Sequence, residues 1–149
     1  ERNKGRTKER SEHGMTIVWT NGCFDVLHRG HIELLKYAKS LGDYLVVGID
    51  DDARVKASKG DSRPFNRVED RMAMLEAIRY VDEVCVFDID CELTTQILVS
   101  GAQIIVVGDD YKDKEVIGSH LSQIDEVVFF KRLGDYSTTN ILKNKEKLI

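Results

Sequence analysis

The chain has 149 residues, 42% hydrophobic and 32% charged, with a formal net charge of −4 at pH 7. That length and composition predict one globular domain and argue against a disordered or fibrous protein. No apolar run approaches the roughly 20 residues that cross a bilayer, and no signal-peptide core opens the chain, so the expectation is a cytoplasmic protein with no membrane partner.

Residues 1–14 hold five basic and three acidic side chains, leaving 17 basic and 23 acidic ones beyond. We read this stretch as a disordered or cloning-derived leader and residues 15–149 as the single domain. The acidic remainder gives no electrostatic basis for nucleic-acid binding. A buried strand is predicted at Thr16 to Trp19, then a helix from His31 to Leu41 with Ile32, Leu35 and Ala38 on one face and Gly42 as its stop. The continuous apolar run Tyr44 to Ile49 suits a parallel strand covered on both faces. Ala53 to Phe65 reads as a polar, mobile loop, with a short helix at Asp51 to Lys56 as the alternative. Asn66 is placed to cap the next helix, with Glu69 in capping-box position. Strands follow at Glu83 to Phe87, Gln103 to Val107 and Glu126 to Phe130. Helices are predicted from Leu93 to Val99, from Val116 to Gln123, and onward from Ser137.

This alternation predicts an α/β protein with a Rossmann-like, open, mostly parallel five-stranded sheet and helices on both faces. In such sheets ligands bind beyond the carboxyl ends of the strands. Three segments leave carboxyl ends: Thr20 to His31, Asp50 to Asp52, and Gly108-Asp109-Asp110.

The first of these reads Asn21-Gly22-Cys23-Phe24-Asp25-Val26-Leu27-His28-Arg29-Gly30-His31. A glycine turn that opens a helix offers backbone N–H groups and the positive end of the helix dipole to a phosphate. His28 and His31 are three apart, so a helical turn points both rings the same way. Two imidazoles there can hydrogen-bond an α-phosphate as charge builds during transfer. Asp25 is read as holding the turn or orienting His28, and Cys23 as a small filler. Cys23, Cys85 and Cys91 cannot all pair and lack zinc spacing, and HxGH has no third ligand at zinc spacing, so no protein-bound metal is expected.

From Thr16 onward the chain resembles the cytidylyltransferase-like family of HxGH nucleotidyltransferases. The stretches Thr20 to Asp25, Lys59-Gly60-Asp61-Ser62-Arg63-Pro64 and Ser137-Thr138-Thr139-Asn140-Ile141 are similar to heptose 1-phosphate adenylyltransferases. The stretches Ile78-Arg79-Tyr80-Val81-Asp82-Glu83-Val84 and Val107-Gly108-Asp109-Asp110 are similar to glycerol phosphate cytidylyltransferases.

The resemblance implies transfer of a nucleotidyl group from ATP or CTP to a phosphorylated sugar or polyol. Magnesium would accompany the triphosphate, and the protein would be a homodimer. It implies catalytic roles for His28, His31, Lys59 and Arg79. Nucleotide contacts would fall to Asn21, Gly22, Cys23, Phe24, Gly30, Gly108, Asp109, Arg132, Ser137 and Thr138, and substrate contacts to Asp25, Lys56 and Arg71. Heptose 1-phosphate adenylyltransferase leads. Glycerol 3-phosphate cytidylyltransferase, an FAD synthase-like adenylyltransferase and a non-catalytic nucleotide-binding regulator are the alternatives.

Overall fold

Strand and helix alternate as β1 (Ile17–Gly22), α1 (Arg29–Ser40), β2 (Tyr44–Asp50), α2 (Asp52–Lys59), α3 (Val68–Glu76), β3 (Glu83–Phe87), α4 (Asp90–Ser100), β4 (Ile104–Gly108) and β5 (Glu126–Phe130). These elements are seen in a computed structural model, which describes residues 14–131, 137 and 141–142. The strands pair in parallel throughout, in the order β3-β2-β1-β4-β5. The predicted α/β sheet is therefore the one that forms. Strands β1 to β3 step outward in one direction, and β4 returns to the other side of β1. A crevice opens at that reversal, beyond the carboxyl ends of β1 and β4.

The two-residue period of a strand sends alternate side chains to opposite faces. Val18, Leu45, Val47, Ile49, Ile104 and Val106 face Leu35 and Ala38 of α1 and Leu75 of α3. Trp19, Val46, Ile105 and Val107 face the other way, onto Leu93 and Ile97 of α4. Both faces are thus covered, which is why the strand sequences are continuously apolar. Gly101 ends α4 in the left-handed region at φ 76°. Gly42, after α1, is needed for a different reason: a Cβ there would meet the Thr16 carbonyl oxygen at 2.7 Å.

Three local expectations are corrected. The segment after β2 is helical as far as Lys59, because Asp51 caps it by accepting the Arg54 N–H at 2.8 Å. Asn66 does not cap α3; Arg67 occupies that position without a side-chain bond. The Asn66 backbone is used in tertiary bonds instead, its N–H on Asp25 Oδ1 at 2.9 Å and its carbonyl accepting Arg71 Nε at 3.0 Å. Val116 to Gln123 forms turns, not a helix, with Ser119 N–H on the Val116 carbonyl and Leu121 N–H on that of Gly118. Gly118 at φ 91° breaks the helical path, although Ile117 and Leu121 still pack against the α4 face as the apolar spacing required. Of the predicted final helix, the Ile141 N–H reaches the Ser137 carbonyl at 3.1 Å; its remainder and residues 1–13 lie outside the described residues.

Trp19 sets a tight tolerance in the sheet. A Cβ on Gly48 would stand 2.5 Å from the Trp19 ring and 3.2 Å from Phe87. Overpacking of this kind costs about 1–3 kcal/mol. Gly48→Ala is therefore expected to lose that much stability in urea denaturation, with the m-value unchanged.

Candidate active site

The crevice is a cleft of about 870 Å³ at the carboxyl edge of the sheet. One wall begins with the loop from β1 to α1. That loop holds two non-glycine residues in the left-handed region, Phe24 at φ 49° and Val26 at φ 52°. Each such residue costs on the order of 1 kcal/mol, which surrounding structure must offset. Asp25 between them supplies the anchor. Its carboxylate is fully buried and accepts the Phe65 N–H at 2.6 Å and the Asn66 N–H at 2.9 Å. Phe24 inserts its ring into the α1 side of the core, 5.3 Å from the ring of His31.

The histidines themselves cap α1. His28 Nδ1 accepts the Gly30 N–H at 3.0 Å, and His31 Nδ1 accepts the His28 N–H at 3.1 Å. An imidazole nitrogen that accepts carries no proton, so each ring holds its proton on Nε2 and is a donor there. The two rings stack at 3.8 Å with 27° between their planes, and both line the cleft. Spacing alone predicted two rings on one side. The cap that fixes their tautomer comes from the fold.

The cleft brings together Asn21, Gly22, Cys23, Phe24, Asp25, His28, Gly30, His31, Lys59, Gly108 and Ser137 of the residues expected there. Arg132 and Thr138 lie outside the described residues. Four others lie outside the cleft lining. Asp109 and Lys56 do not line the cleft; Lys56 is exposed on α2. Arg79 follows the carboxyl end of α3, which runs antiparallel to the strands and so delivers it to the opposite edge of the sheet. There its guanidinium reaches the Tyr80 hydroxyl at 3.2 Å and lies over that ring.

Arg71 is not among the residues that line the cleft. Its side chain is 1% exposed and sits beneath the cleft. It donates to the carbonyls of Cys23 (2.9 Å), Asp50 (2.8 Å) and Asn66 (3.0 Å) and to the Asp52 carboxylate (2.7 Å).

Sequence reasoning missed Arg54, Arg63 and Tyr111, which also line the cleft. Arg54 hydrogen-bonds Asp50 at 2.8 Å, Asp90 at 2.8 Å and the Asp88 carbonyl at 3.2 Å. The four-residue spacing of Asp50 and Arg54 across a helix start was the available signal for it. Arg63 stood within the Lys59 to Pro64 motif without an assigned role.

The Cys23 thiol donates to Asp50 Oδ2 at 3.2 Å. Burial, and next the Asp50 charge, push this thiol up to about 12. It is a neutral donor at ordinary pH, not a nucleophile.

A family model described as cytidylyltransferase-like matches residues 19–144. The chain belongs to the cytidylyltransferase-like family. Bifunctional protein HldE from Campylobacter fetus is 48% identical over 134 residues, which are 90% of this chain and 28% of that protein. The protein of the same name from Nitratiruptor sp. is 43% identical over 137 residues, 92% of this chain and 29% of that one. The chain thus spans just over a quarter of the length of these curated relatives. Among solved structures, the lipopolysaccharide core biosynthesis protein from Thermoplasma volcanium matches with a TM-score of 0.63 at 28% identity, over 83% of this chain and all of that one. Pantothenate synthetase from Thermus thermophilus shares the fold alone, with a TM-score of 0.62 at 15% identity over 89% of this chain and 63% of that one.

Two thiols, Cys23 in the cleft and Cys85 against the α4 side of the core, provide a pH test. Cys85 is also pushed up to about 12, by burial first and then by Glu83. Folding keeps both protons on, whereas the unfolded chain loses them above the ordinary value of 9.0. Native-state stability is therefore expected to fall as pH rises from about 9 toward 12. Urea denaturation at about pH 8 and about pH 10.5 should show a smaller drop for Cys23→Ala/Cys85→Ala than for wild type.

Proposed function

We propose that this chain transfers AMP from ATP to the phosphate of heptose 1-phosphate and releases pyrophosphate. The observation that carries the reaction class is the pair of Nδ1-capped histidines at the start of α1, held at the β1/β4 reversal. An acceptor phosphate is already a nucleophile, so the site needs no strong base. It needs positioning and neutralisation of the charge that spreads over the α-phosphate oxygens. His28 and His31 present Nε2–H donors for that purpose, backed by the positive end of the α1 dipole. Because the cap fixes both tautomers before substrate arrives, no proton has to be rearranged during transfer. Lys59, at the end of α2, adds positive charge on the cleft wall, and Ser137 also lines the cleft.

Relatives named bifunctional protein HldE, at 43–48% identity, support the heptose reading. Asp50 also lines the cleft, and the acceptor oxygens of a carboxylate suit the hydroxyls of a polyol. Magnesium would enter on the triphosphate, whose oxygens and waters are its customary ligands. The carboxylates of Asp50 and Asp110 line the cleft and fit the one or two protein ligands such an ion takes. The family resemblance also supports a homodimer, which light scattering would test.

Pyrophosphate release with ATP or CTP, crossed against heptose 1-phosphate, glycerol 3-phosphate and flavin mononucleotide, tests the proposal. Turnover is expected with ATP and heptose 1-phosphate. Turnover only with CTP and glycerol 3-phosphate would overturn the substrate assignment, and nucleotide binding without pyrophosphate release from any pair would make the protein a regulator. His28→Asn separates chemistry from folding, because its side-chain oxygen can still cap α1 while the Nε2–H donor is gone. The variant should keep its thermal stability and lose at least about a hundredfold in kcat. Activity within a few fold of wild type would show that His28 only caps.

A further inference from the structure

Arg63 is a buried guanidinium with too few partners. Its side chain is 12% exposed, and its Nε is fully buried with no hydrogen bond. The nearest opposite charge is Asp25 Oδ2 at 3.5 Å. That oxygen already accepts the Phe65 N–H at 2.6 Å, and Oδ1 accepts the Asn66 N–H at 2.9 Å. Asp25 therefore balances the charge of Arg63 without hydrogen-bonding it. The backbone is secured separately, with the Arg63 N–H on the Gly60 carbonyl at 3.1 Å.

Two arginines line the cleft among the described residues, and they differ in kind. Arg54 hydrogen-bonds protein oxygens through all three of its nitrogens. Arg63 has charge compensation from Asp25 and no side-chain hydrogen bond among the described residues. A buried polar group left in that condition requires an explanation, and in a cleft the simplest is a ligand that completes it. The rigid fork of a guanidinium matches the oxygens of a phosphoryl group, two N–H donors to two acceptors. Lys59, four residues earlier, lines the same cleft, so one short segment brings two cations to it.

We propose that Arg63 grips a phosphoryl group of a bound substrate, with Asp25 holding the guanidinium in place from behind. The ligand class rests on the nucleotidyl-transfer reading above. Two sources share this chemistry: the triphosphate of the nucleotide and the phosphate of the acceptor.

The test uses the full chain and its variants Arg63→Gln and Arg63→Lys. Inorganic tripolyphosphate is titrated calorimetrically, and KM is measured for ATP and for heptose 1-phosphate. Arg63→Gln is expected to weaken at least one of these by about tenfold or more, at unchanged Tm, with Arg63→Lys intermediate because it keeps the charge and loses the fork. A loss confined to tripolyphosphate and ATP assigns the triphosphate, and a rise confined to the heptose 1-phosphate KM assigns the acceptor. If the unbalanced Asp25 unfolds Arg63→Gln, Asp25→Asn is compared with Asp25→Asn/Arg63→Gln, in which no acid needs a counter-charge. Unchanged tripolyphosphate affinity and unchanged KM values in the folded variant would overturn the proposal. Tripolyphosphate bound through Arg63 by a wild type that releases no pyrophosphate would sink the nucleotidyl-transfer reading and leave this one standing. Pyrophosphate release by wild type and by Arg63→Gln with equal kcat, equal KM values and equal tripolyphosphate affinity would do the reverse.

Discussion

Arg71 draws separate segments of the chain to a single buried point. Its guanidinium donates to the Cys23 carbonyl in the loop after β1, the Asp50 carbonyl at the end of β2 and the Asp52 carboxylate at the start of α2. Its Nε takes the Asn66 carbonyl before α3. Three of these partners are backbone oxygens at places where regular structure stops, so no ladder or helix bond could have satisfied them. A buried charge is tolerated only when its hydrogen-bonding capacity is used. The position of each segment is thereby coupled to the others. The cleft lies directly above this point, and its shape depends on that coupling.

A second anchor, Asp25, works on the adjacent loop in the opposite electrical sense. Its carboxylate takes two backbone N–H groups from residues 65 and 66, with Arg63 as its counter-charge. The anchor sits between the two residues forced into the left-handed region, so strain and the bonds that offset it occupy the same few residues. Rigidity here serves the histidines. With both Nδ1 atoms committed to the helix cap, ring orientation and proton position are set before any substrate binds. Preorganised donors of this kind are what charge stabilisation in a transferring phosphoryl group requires.

How far the sequence was legible follows from the range of the interactions involved. Continuous apolar runs located β2 to β5 within a residue and ended β1 three residues early, at Trp19, because burial on both faces writes itself into every position and polar Asn21 and Gly22 interrupt that signal. The helices α1 and α4 were visible from their period, and the HxGH spacing placed two rings together. The turns at 116–123 defeated the same reasoning. Ile117 and Leu121 carry helical spacing because they pack on α4, while Gly118 at φ 91° breaks the backbone between them. Asn66 has the composition of a cap, yet its backbone groups are claimed by Asp25 and Arg71, each distant in the chain or on another turn. Arg71 and Arg79 stand only eight residues apart, and both were expected at the site. One is buried under the cleft, and the other is carried past the end of α3 to the far edge of the sheet.

By itself, the sequence determined the α/β class, the edge of the sheet where the cleft opens, and the histidine pair that lines it, because periodicity and short spacings are local properties. It also carried the likeness to the cytidylyltransferase-like family, which the match over residues 19–144 bears out. Only the tertiary structure decided which of the described cations line the cleft. Arg54 and Arg63 enter it, while Arg71 supports it from below and Arg79 leaves it. The physical reason is that a charge is assigned by its partners. Those partners, Asp90 for Arg54, Asp25 for Arg63 and the Cys23 carbonyl for Arg71, lie about 36 to 48 positions away.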